Sequence, residues 1–95
     1  MASVFVTVFE TAREVALGDP LQYTLATIGG ANSAAITGSG KKRRRVRLLA
    51  DADCWTAWGA SPTATGSSDS VALVADNAEY FDIEAGHVVT AITRV

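Results

Sequence analysis

The sequence predicts an all-β protein, a β-sandwich with jelly-roll-like or Greek-key connections and about eight short antiparallel strands. Three observations carry that reading. Turn signals recur at short intervals, as "GDP" (18–20), "GG" (29–30), "GSG" (38–40), "GASP" (59–62), "GSSD" (66–69) and "EAGH" (84–87). The segments between them are β-branched or alternate apolar with polar residues. No segment carries a sustained 3.6-residue apolar stripe between helix caps. Ninety-five residues, 48% of them hydrophobic, make one domain spanning 1–95 with a modest core, burying roughly two-thirds of the unfolded surface.

Taken in order, the expected strands are 3–10, 12–17, 21–28, 32–37, 43–50, 53–59, 70–75, 79–84 and 87–94. The first is "SVFVTVFE", a β-branched run. The next three are short segments bounded by Gly and Asp turns. In 43–50, Arg43, Arg45 and Arg47 share one face, while Arg44 shares the other with Val46 and Leu48, so the strand enters the core at Val46. In "CWTAWG" (54–59), Cys54, Thr56 and Trp58 point one way and Trp55 and Ala57 the other; Trp58 is assigned inward. In "EYFDIEAG" (79–86), Phe81 and Ile83 oppose Tyr80, Asp82 and Glu84, the pattern of a half-buried strand. The turn at Ala85-Gly86 returns into 87–94, which is apolar on both faces near Val88 to Ile92, as in an interior or partner-covered strand.

Composition narrows the function classes. Cys54 is the only cysteine, which leaves no intrachain disulfide framework and no cysteine-based zinc site. The N-terminal run lacks a basic flank and is interrupted by Glu10, Arg13 and Glu14. It reads as neither signal peptide nor membrane span, so a soluble protein made in cytoplasm is expected.

Residues 38–49, "GSGKKRRRVRLL", concentrate the positive charge. Lys41, Lys42, Arg43, Arg44, Arg45 and Arg47 are six of eight basic residues, yet the net charge is −2. Three readings compete: a solvated strand end, a salt-sensitive contact with an acidic protein surface, or phosphate binding. No aromatic interrupts the run, whereas nucleic-acid proteins interleave groups that meet bases. The acidic residues Asp51, Asp53, Asp69, Asp76, Glu79, Asp82 and Glu84 lie elsewhere in the sequence. A molecule with a positive end and a negative half can assemble with copies of itself or with a symmetric shell. Protein contact therefore ranks above nucleic acid.

Catalytic signals are weak. The sole histidine, His87, lies in an expected hairpin turn, and no G-x-S-x-G elbow accompanies the serines. Cys54 has no adjacent His or basic residue and reads as a small core residue. The pairs Asp51/Asp53 and Asp82/Glu84 could hold calcium or share a proton, but an exposed strand edge explains them more simply. "GSGKK" lacks Walker spacing. No enzyme, cofactor or metal is expected. Trp55, pointing outward, is a candidate interface anchor or rests on the protein's own surface under the 61–69 loop.

The stretch 50–92, with Trp58-Gly59, Pro62 to Thr65, Val71 to Val74, Glu79 to Ile83 and Gly86 to Ile92, resembles small structural proteins of tailed bacteriophage virions. Those proteins show a short strand ending in an aromatic and Gly, a Ser/Pro/Thr/Ala/Thr loop and an apolar strand. A "Glu-aromatic-Phe-x-Ile-x-x-Gly" hairpin and a final Val/Ala/Ile strand follow. Upstream, "GKKRRRVRLLADAD" looks like the family's Val-Arg-Leu strand with extra Arg. The resemblance covers the C-terminal two-thirds and carries no catalytic signature. It implies a virion protein, first of all a capsid decoration or cement protein that is assembled in the host cytoplasm. Its partners would be the major capsid protein, or another virion protein, and further copies of itself, with a trimer one option. Trp55, Arg43, Arg45, Arg47, Lys41 and Lys42 are the expected contacts, and the first strand is free to pair with a neighbour's edge. A neck, tail or head-fibre-base protein is the alternative, followed by a small nucleic-acid-binding β-barrel using 41–47.

Overall fold

The computed structural model describes residues 2–40, 42–64 and 70–94. Among the described residues seven strands form: β1 (Ser3–Phe9), β2 (Gln22–Thr27), β3 (Arg43–Ala50), β4 (Cys54–Gly59), β5 (Val71–Leu73), β6 (Glu79–Glu84) and β7 (Val88–Thr93). They build a four-stranded sheet in the order β2-β1-β3-β6 and a three-stranded sheet in the order β5-β4-β7. Every pairing is antiparallel. The protein is all-β and sandwich-like, as expected, with seven strands among the described residues. The expected turn at 66–69 lies outside the described residues.

Strand alternation sends one side chain in two inward, and the two sheets share a single core cluster. Val4, Val6 and Val8 of β1 meet Val46, Leu48 and Ala50 of β3, Ile83 of β6, Cys54 of β4, Leu73 of β5, and Val89 and Ala91 of β7. Trp58 packs inward as its parity requires, its ring centroid 4.7 Å from that of Phe81, so β4 and β6 touch across the layers. The buried Thr56 hydroxyl donates to the Thr90 carbonyl at 2.8 Å, which satisfies a polar group the core could not leave unpaired.

Two expected strands take other forms. Residues 12–17 are a short helix, α1 (Ala12–Leu17). Thr11 supplies the N-cap, its hydroxyl oxygen accepting from Arg13 N–H at 3.3 Å while the hydroxyl donates to Glu14. At the other end Gly18 (φ 67) adopts the left-handed conformation. Its N–H donates to Val15 O at 3.1 Å, and Asp19 N–H donates to Glu14 O at 3.0 Å, which is a Schellman closure. The T-x-x-E start and Gly stop were in the sequence, but one and a half turns are too few to print an apolar stripe.

Residues 32–37 are not a strand. With 28–31 they form a strap along β7: Gly29, Ser33 and Ile36 N–H groups donate to Ala91, Val89 and His87 carbonyls at 2.8, 2.9 and 2.9 Å. The acceptors are two residues apart, whereas the donors are four and then three apart. No constant register exists, so no ladder forms. Ser33 Oγ accepts from Val89 N–H at 2.9 Å. On its other side the strap meets β2, where Gln22 donates to Ala35 O and accepts from Thr37 N–H, and Thr24 Oγ1 accepts from Ala34 N–H. The strap thus closes the side of the sandwich where β2 and β7 lie.

Candidate functional site

The basic run divides by parity, as strand geometry demands. Arg44 points inward and is buried at the end of the core, its Nε donating to Thr37 O at 3.1 Å. It is a structural arginine. Arg43, Arg45 and Arg47 face outward from the larger sheet, and Lys42 is exposed just before β3. Lys41 lies outside the described residues.

Register then decides what stands beside these arginines. Across the outer face, one row reads Tyr23, Thr7, Arg47, Tyr80; the next reads Leu25, Phe5, Leu49. On the other side of Arg47, Phe9, Arg45 and Asp82 form a row, and Arg43 stands opposite Glu84. Leu21, whose N–H donates to Val8 O at 2.7 Å, continues the parity of Tyr23 and Leu25. Leu21, Tyr23, Leu25, Phe5 and Tyr80 are all exposed, from 43% for Tyr80 to 73% for Tyr23. The face therefore carries an apolar band along β2 and β1 beside a charged stripe along β3 and β6.

The charges interdigitate rather than segregate, because β6 is the neighbour of β3. Arg45 Nε lies 3.0 Å from Asp82 Oδ1. Its N–H is not aimed at that oxygen, so the contact is an ion pair without a hydrogen bond. At this exposure such a pair contributes about 0–1 kcal/mol. Arg47 has no opposing carboxylate in its row. Its Nη2 reaches Thr7 Oγ1 only at 3.5 Å, and its buried Nε has no hydrogen-bond partner. Register thus sets two carboxylates, Asp82 and Glu84, among three outward guanidinium groups, Arg43, Arg45 and Arg47, so the stripe alternates in sign and keeps a small positive excess.

Trp55 lies elsewhere. It faces outward from the smaller sheet between Ala72 and Ile92, half-buried, with the Arg94 guanidinium 5.6 Å from its ring centroid. Trp55 and the arginine row are on opposite faces of the sandwich and cannot form one patch. Sequence reasoning missed the five exposed apolar residues on the outer face of the larger sheet. The signal was the odd-numbered alternation in "LQYTLAT" (21–27), and the aromatics that the basic run lacks arrive from neighbouring strands.

The remaining candidates have structural surroundings. Cys54 is fully buried, and burial, reinforced by Asp53, pushes its thiol up to about 11, so it stays protonated at neutral pH. His87 Nε2 is 3.4 Å from Glu84 Oε2 within the β6–β7 turn. Asp51 Oδ1 accepts from Ser3 N–H at 2.7 Å and Asp53 Oδ1 from Ala75 N–H at 2.8 Å, so each carboxylate ties a separate loop. Among the described residues no group of three His, Cys, Asp or Glu side chains could hold a metal ion. No helix among them is long and apolar enough to cross a membrane. Comparison with family models, curated proteins and solved structures finds no match to this chain.

Proposed function

We propose that this chain is a non-enzymatic structural protein of a tailed-bacteriophage virion, a decoration protein that reinforces the capsid shell. The observation that carries the reading is the outer face of the larger sheet. Leu21, Tyr23, Leu25, Phe5 and Tyr80 stand exposed on a rigid four-stranded platform, and contiguous apolar surface of that kind marks a face that is covered in use. The resemblance of residues 50–92 to virion proteins supplies the class of assembly. In a shell each contact repeats many times, so a modest free energy per copy resists internal pressure collectively.

The test is to band particles from infected cells on a density gradient and follow the chain by mass spectrometry. Co-banding with intact particles at hundreds of copies supports a shell protein. A copy number of about a dozen or fewer, as closed rings require, moves it to the neck or tail. Recovery only in the particle-free fraction ends the reading.

A further inference from the structure

We propose that the outer face of the larger sheet is the contact between two copies of this chain, packed sheet to sheet about a two-fold axis. This names the occupant of the face on which the assembly reading rests, and it leaves the opposite face, with Trp55, for other partners.

Three observations select a second copy. The first is extent. Leu21, Tyr23, Leu25, Phe5 and Tyr80, with half-buried Leu49 between them, present apolar area on the order of 500 Å², at the upper end of what a monomer leaves exposed. That is a large share of the roughly 800 Å² each partner of a standard complex covers. The second is shape. A regular four-stranded sheet in continuous register, from Ser3↔Thr27 to Leu48↔Glu79, offers a surface that a second such sheet matches at about 10 Å spacing.

The third is charge, which separates this occupant from nucleic acid. Tyr23, Arg47 and Tyr80 in one row resemble a stacking platform with a cation. Yet Asp82 stands opposite Arg45 and Glu84 opposite Arg43, and carboxylates in the stripe repel phosphate. A stripe that carries guanidinium and carboxylate groups side by side can meet its own copy with opposite signs facing, since an isologous contact presents the same patch on both sides. Arg47, the one cation of the three without a carboxylate opposite, then finds its counter-charge on the other copy.

The test is sedimentation equilibrium of the full chain up to about 100 µM, a range in which micromolar association is resolved. The expected result is a mass twice the 9.9 kDa of the chain, with Leu25→Lys and Tyr23→Lys each raising the dissociation constant at least about 100-fold. Hydroxyl-radical footprinting of the unaltered protein gives a readout independent of any variant: labelling of Tyr23 and Tyr80 falls as concentration rises through the dissociation constant. A 9.9 kDa species throughout, a trimer, or a dimer indifferent to both substitutions overturns the inference. So does binding of a fluorescent single-stranded oligonucleotide that Tyr23→Lys abolishes, which assigns the face to nucleic acid. A dimer absent from particles ends the virion reading but leaves this one standing; a monomer found on particles does the reverse.

Discussion

Gly38→Ala is expected to destabilise the protein by about 3 kcal/mol, well beyond the effect of Gly40→Ala two residues away. Both glycines have positive φ, 130 and 65 respectively. At Gly40 an added Cβ meets open space, so only the left-handed backbone penalty applies, about 1 kcal/mol. At Gly38 the same atom would lie 2.9 Å from the Ala85 Cβ and 3.0 Å from a terminal nitrogen of Arg44. Backbone strain of about 1–3 kcal/mol is joined there by displacement of Arg44 from Thr37 O, a charged hydrogen bond worth about 1.5–3 kcal/mol. Urea unfolding of both variants at pH 7 measures the difference. The corresponding melting shifts are about 15 °C for Gly38→Ala and about 5 °C for Gly40→Ala, from the usual scaling for a domain of this size. Ala85→Gly, which removes the nearer obstacle, should recover at least about 0.5 kcal/mol of the Gly38→Ala loss as a coupling term. Equal losses for the two glycines, or strict additivity with Ala85→Gly, would refute the account of Arg44 as a buried clamp.

Three other outcomes follow from the packing. Leu48→Ala, at a fully buried position between the sheets, should cost about 3 kcal/mol by urea titration through lost transfer and cavity terms. Thr11→Ala removes the α1 cap and should cost about 1 kcal/mol. The Thr11 hydroxyl holds Glu14 below the usual carboxylate range, so that contribution is present at neutral pH and lost on acidification, and a urea-midpoint series below pH 5 checks it in both proteins. At alkaline pH the unfolded chain releases the Cys54 proton before the folded one, whose thiol ionises at about 11. Stability is therefore full below about pH 8.5 and falls toward pH 11 by on the order of 2 kcal/mol; Cys54→Ala should remove that part of the decline.

Where parity and β-branching agreed, the chain was readable residue by residue. β3 and β6 have the expected bounds, and the inward Arg44, Val46 and Leu48 and outward Arg43, Arg45 and Arg47 follow from period two alone. Trp58 against Phe81 follows in the same way. The strap was not legible because its hydrogen bonds depend on a partner, β7, more than fifty residues away, and on spacings of four and three that no local pattern reports. The surface was half legible. Its arginines announced themselves as a run, but Tyr80 stands beside Arg47, and Tyr23 beyond Thr7 in the same row, only because β6 and β2 flank β3 and β1, and strand order is a long-range property. The same ordering brings Asp82 and Glu84 to the arginines and reduces the charge asymmetry that the linear sequence suggests.

The irregular strap has a consequence for growth by strand addition. Hydrogen bonds from Gly29, Ser33 and Ile36 occupy the outer rim of β7, and side chains of Gln22 and Thr24 bind the strap to β2. Among the described residues β2 and β7 end the two sheets on the strap side, and β5 and β6 end them on the opposite flank. A propagating fibre must accept a strand on one flank and donate from the other. With the β7 rim occupied, the smaller sheet can recruit a strand only beside β5, so edge-wise growth of that sheet stops at a single addition.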